Sequence, residues 1–112
     1  NGDMVRTLSI WELKSPQSII MEADDNHSRW RPSRGLIKAE TQLLHYLYTA
    51  RLDGALHRRY GVLPENIMSG GIVMGRHDTW CAATGDQASA KLSHSIRSEA
   101  FYRPSGIRFL TW

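Results

Sequence analysis

Three residues near the start of the chain carry the clearest chemistry. Glu12-Leu13-Lys14 puts a carboxylate and an ammonium two positions apart at the end of an apolar run. In a strand, side chains alternate between faces, so Glu12 and Lys14 would share one face. A surface ion pair at the strand's mouth is the plainest account of such a triplet. Asp3 adds a second possibility. If Met4-Val5 and the strand after it form a hairpin, Asp3 can lie opposite Glu12. Carboxylates on neighbouring strands, about 5 Å apart, repel by roughly 3 kcal/mol at an effective dielectric of about 20. A divalent cation removes that penalty, and hard oxygen ligands select Mg²⁺ or Mn²⁺ over zinc. Such a metal would activate a water and neutralise charge on a scissile phosphate. Lys14 would orient that water or stabilise the pentavalent state.

Further candidates lie downstream. Gln42 and Tyr46 are four residues apart and share a helix face. The glutamine can bond a water, a backbone group or a nucleotide; the alternative is a solvated glutamine beside a half-buried tyrosine. Arg29, Arg31 and Arg34 surround Trp30 in a basic loop that could grip a phosphate backbone while the indole stacks on a base. An ordinary loop leading into a helix explains the same residues. Arg76 follows a strand, where site residues often lie, whereas His77 reads as a turn residue. Arg58 and Arg59 suit phosphates or a helix dipole equally. The histidines and Cys81 form no zinc pattern, and no nucleotide-binding glycine loop or serine-nucleophile motif is present.

Several elements must position these groups. Thr7 to Leu13 is rich in β-formers and ends at Ser15-Pro16. Residues 17–35 read as irregular, with turn chemistry at Asp24-Asp25-Asn26 and Ser33 ready to cap a helix. Leu36 to Leu52 has helical spacing through Leu36, Leu43, Leu44, Leu47 and Leu52. A break at Asp53-Gly54 and a second helical turn through Ala55–Arg59 follow. Ile72-Val73-Met74 reads as a short buried strand after Ser69-Gly70-Gly71. Ala88 to Phe101 reads as a helix whose apolar face is Ala88, Leu92, Ile96 and Ala100, and Ile107 to Trp112 as a closing strand. The order is β-(β)-α-β-α-β, an α/β layer architecture.

The chain's 112 residues fit one domain, which would bury roughly 65% of its unfolded surface. The net charge of +3 permits a nucleic-acid partner without requiring one. No apolar run reaches the roughly 18 residues of a membrane span. A lone cysteine and the lack of a signal-peptide pattern suit a reducing cytoplasm. The start at Asn1, without methionine, is expected of a piece of a longer protein.

An ELK triplet after an apolar strand, followed by a Q-x-x-x-Y helix, resembles the PD-(D/E)xK nuclease superfamily. The succession WELKSP, RPSRGLIKAETQLLHYL, GGIVMGR and IRFLTW is similar to the Shedu-type nuclease domain of bacterial anti-phage defence. This resemblance covers nearly the whole chain. It implies a restriction-endonuclease-like mixed sheet flanked by helices, here without its N-terminal elements. It implies a Mg²⁺- or Mn²⁺-dependent DNA endonuclease, with Glu12 as the motif acid, Lys14 as the motif lysine, Gln42 as the helix glutamine and Asp3 as the upstream aspartate. Asp3 and Glu12 would be the metal ligands. Gly2 stands where the family has a proline, and Asp24 and Asp25 are reserve acids. Homo-oligomerisation is a further implication of the resemblance. A degenerate nuclease fold that binds DNA or a protein without cutting is the competing expectation, and an RNA-cutting relative is a third.

Overall fold

The computed structural model describes residues 6–24 and 29–112. Its main sheet has three parallel strands in the order β1-β4-β5, with β1 Leu8–Leu13, β4 Ile67–Val73 and β5 Arg108–Leu110. Strands β2 Met21–Asp24 and β3 Arg29–Pro32 form a separate antiparallel hairpin. Helix α1 Arg34–Leu52 connects the hairpin to α2 Gly54–Tyr60. Helix α3 Gln87–Arg97 continues into a π-helical turn, Ser98–Tyr102. The α/β expectation therefore holds. Within the main sheet all pairing is parallel, whereas a mixed sheet was expected; the antiparallel pairing is confined to the hairpin.

Helix α1 starts where Ser33 caps it. The Ser33 hydroxyl accepts from the Leu36 amide at 3.0 Å and donates to the Ile19 carbonyl at 2.7 Å. The cap thus also ties the helix to the segment leading into the hairpin. Asp53 ends the helix and restarts it as α2, accepting from the Leu56 amide at 3.2 Å. Leu36, Ala39, Leu43, Leu47 and Ala50 bury one face of α1 against β4 and β1. Leu8 and Ile10 of β1 pack on this core, and the next two positions at the same two-residue spacing are Glu12 and Lys14. Leu13, on the opposite face, is 59% exposed, as Leu110 and Trp112 are also largely exposed.

β4 begins five residues earlier than the sequence pattern suggests, because its Gly70-Gly71 pair forms a bulge rather than a loop. The register shifts between Ile10 and Trp11, and the Trp11 indole lies so close that a Cβ on Gly70 would sit 2.3 Å from it. Gly71 has φ +153°, and a Cβ there would come within 2.1 Å of the Arg108 carbonyl oxygen. The hairpin was also expected to be irregular. Its strands are four residues each and take their support from tertiary contacts: the Ile20 and Met21 amides donate to the Thr79 and Trp80 carbonyls.

Helix α3 turns a different face inward from the one its apolar spacing suggests. Ala90 and His94 are its buried residues, while Leu92 and Ile96 are 66% and 65% exposed. The reason is the neighbouring polar and aromatic chemistry. His94 packs its ring 4.2 Å from Phe109, 5.2 Å from Trp80 and 5.5 Å from Tyr102 between centroids. Arg97 donates to both carboxylate oxygens of Glu40 on α1, through Nε and Nη2. These contacts outweigh burial of the aliphatic stripe.

Candidate active site

Glu12 and Lys14 lie where β1 leaves the sheet, at the carboxyl end of its parallel strands. That end is where ligands of parallel α/β sheets bind. Lys14 Nζ donates to Gln42 Oε1 at 2.9 Å and stands 3.6 Å from Glu12 Oε1. The side chains of Lys14 and Glu12 are 23% and 13% exposed, so the pair is partly shielded and still open to solvent. Twenty-eight residues separate Lys14 from Gln42, and α1 closes that distance. Three of the sequence candidates are thereby brought together. Asp3 lies outside the described residues, as does Asp25.

The backbone around this pair is held firmly. Lys14 donates its amide to the Val73 carbonyl at 2.8 Å. Its own carbonyl accepts from the Trp112 indole at 2.6 Å. Gly75 donates to the Ser15 carbonyl at 3.1 Å and accepts from the Trp112 amide at 2.8 Å. The ends of all three strands are thus tied into one knot beside Lys14. Gly75 is required there: it has φ +68°, and a Cβ would lie 2.6 Å from the Thr79 hydroxyl.

As metal ligands, the described residues offer oxygen donors and no cluster. Glu12 supplies a carboxylate, and no group of three His, Cys, Asp or Glu side chains able to hold an ion occurs among the described residues. Mg²⁺ keeps several waters and takes as few as one or two carboxylates, so Glu12 together with a second acid would fit its chemistry. Asp24 is placed on the hairpin, in register with Arg29.

Compared with protein families, curated proteins and solved structures, the chain has no match. Its site is therefore read from its own geometry.

The arginines divide. Arg31 pairs with Glu22 at 3.0 Å, and Arg76 with Asp78 at 3.0 Å. Arg29 and Arg34 are exposed and stand in no ion pair among the described residues. Trp30 donates its indole N–H to Ser89 at 2.9 Å and packs against the core, so it serves packing. His77 lies in the exposed turn that Thr79 closes by bonding Arg76. Arg58 and Arg59 occupy the last turn of α2, where cations complement the helix dipole.

The sequence reading missed a second cluster. Glu40, buried on α1, accepts from Arg97 at 2.6 and 2.8 Å and from the Tyr102 hydroxyl. Burial and the Glu40 carboxylate push the Tyr102 hydroxyl far above its ordinary pKa, so it remains a donor. The hydrogen bond to Glu40 raises Arg97. His94 is buried beside them, and its pKa falls to about 4, chiefly through desolvation. Its Nε2 has no hydrogen-bond partner among the described residues. The only sequence signal was the placement of Glu40 between Ala39 and Leu43, on the edge of the apolar face of α1. Glu40 and Tyr102 are buried and Arg97 closes the cluster toward solvent, so it braces α1 against α3.

Proposed function

We propose that the chain is a Mg²⁺- or Mn²⁺-dependent DNA endonuclease domain of the PD-(D/E)xK type, similar to the Shedu nucleases of bacterial anti-phage defence. The observation carrying this reading is the convergence of Glu12, Lys14 and Gln42 at the carboxyl end of a parallel sheet. Glu12 would hold the cation, with Asp3 as the second acid. When bound, the cation supplies a water of lowered pKa and neutralises phosphate charge. The Lys14 ammonium aligns the attacking water and stabilises charge on the pentavalent phosphorus as the P–O ester bond opens. Gln42 holds that ammonium in place by accepting a hydrogen bond from it at 2.9 Å. A cytoplasmic location and a homo-oligomeric state belong to the same reading.

Incubation of the full chain with supercoiled plasmid and Mn²⁺ tests it. Nicking or linearisation is expected, and Glu12→Ala and Lys14→Ala should each reduce it at least about a hundredfold. Undiminished cleavage by both variants would remove the assignment.

A second reading has its own support. The Lys14 ammonium, 3.6 Å from Glu12, already serves that carboxylate as a counter-ion. A degenerate nuclease fold would keep this pair for structure and bind DNA or a protein partner without cutting. Mn²⁺ titration separates the readings: no metal bound at Glu12, with DNA binding retained, favours the binding module. An RNA substrate assayed at the same salt concentration tests the RNA-cutting alternative.

A further inference from the structure

Arg34, Lys38 and Gln42 follow one another at intervals of four along α1, so they form a single row on the helix surface. The row's direction is fixed by two contacts. Gln42 reaches Lys14 of β1, whereas Glu40, about 200° around the helix, reaches Arg97 beyond the other flank. Because each four-residue step turns about 40°, the row leads from Gln42 through Lys38 to Arg34 toward the start of α1 and onto its outer face, away from the buried residues. Each four-residue step rises about 6 Å, comparable to the spacing of neighbouring phosphates on a nucleic-acid strand.

Ion pairing divides the surface cations, and among the described ones left without a carboxylate Arg34 and Lys38 are the two in the row that leads from Gln42. Arg31, Arg76 and Arg103 each sit against a carboxylate, from Glu22, Asp78 and Glu99. A phosphate would have to displace that carboxylate. Arg34 and Lys38 are exposed, and neither stands within ion-pair distance of a carboxylate among the described residues. Lys38 carries no motif in the sequence; only its place in the row distinguishes it.

We infer that this row is a track for the DNA backbone. With the scissile phosphate at Lys14, Lys38 binds the adjacent phosphate and Arg34 the one beyond, and the strand runs along α1 toward its N-terminus. Arg31 and Arg76 contribute little. This rests on the nuclease reading for the position of the scissile phosphate, while the track itself is a statement about binding.

The test is fluorescence anisotropy of the full chain with a labelled DNA duplex, in EDTA, over a series of salt concentrations. Each phosphate contact contributes about 0.9 to the slope of log affinity against log salt. The double variant Arg34→Gln/Lys38→Gln should lower that slope by about 2. Arg31→Gln/Arg76→Gln should leave it unchanged. An unchanged slope in the first variant, or the loss appearing in the second, overturns the track. Circular dichroism checks that both variants fold. Plasmid nicking with Mn²⁺ is measured in parallel. Nicking by the wild type with an unaffected slope removes the track and keeps the nuclease. A lowered slope without nicking removes the nuclease and keeps the track. A wild-type chain that binds no DNA removes both.

Discussion

Lys14 and His94 show how differently two ionisable side chains are used here. Lys14 is partly open, donates a hydrogen bond to Gln42 and faces Glu12, which is the environment of a group that meets a ligand. His94 is closed in by Trp80, Tyr102 and Phe109, and burial holds it neutral, with a pKa of about 4 against an ordinary 6.5. The side chains facing it include the Glu40 carboxylate, which favours the charged ring, and the Arg97 guanidinium, which opposes it. Because the folded pKa is lowered, the unfolded chain binds the extra proton first as pH falls. Stability is unaffected above about pH 6.5 and declines between pH 6.5 and 4, by about 3 kcal/mol in all. Urea midpoints at pH 7 and pH 4.5 measure this loss. His94→Phe should shrink the difference between the two midpoints, and an equal difference in wild type and variant would reject the assignment.

At the scale of elements, α3 is the most instructive. Its stripe of Ala88, Leu92, Ile96 and Ala100 has ideal helical spacing, and yet it lies on the solvent side. The inward face carries Ala90, His94 and Arg97, which a hydrophobic pattern scores as neutral or polar. Substituting Leu92→Lys and Ile96→Lys together should therefore change stability by no more than about 1 kcal/mol. A thermal melt checks it; a collapse of the melting temperature would mean that this face is packed in the folded protein. The bulge in β4 makes the complementary point. Gly70 and Gly71 resemble loop punctuation, but they let Trp11 and the β5 backbone approach the central strand more closely than a Cβ allows.

Over the whole molecule, the helices are braced by the triad of buried Glu40 and Tyr102 with half-buried Arg97. It joins α1 to the end of α3 and fixes the flank of α1 opposite to the one that carries Gln42. Removing Glu40 is costly, because the Tyr102 hydroxyl then stays buried without its acceptor and half-buried Arg97 loses its counter-charge. Glu40→Ala should destabilise the fold by about 3 kcal/mol, and Glu40→Gln by less, since the amide oxygen can still accept. Chemical denaturation of both variants measures the difference; equal losses would show that charge, not acceptance, is what the triad needs. What the sequence by itself determined is local: the β1 strand with Glu12 and Lys14 on one face, the Ser33 cap, the long apolar face of α1, and the break at Asp53. These follow from backbone periodicity and short-range hydrogen bonds, which are written in neighbouring residues. The tertiary structure decided the rest. It set the hairpin against the Thr79-Trp80 segment, chose the buried face of α3, and brought Gln42 to Lys14 across 28 residues. Such choices depend on which distant surfaces meet and on the cost of leaving a buried charge unpaired, and neither is set by spacing along the chain.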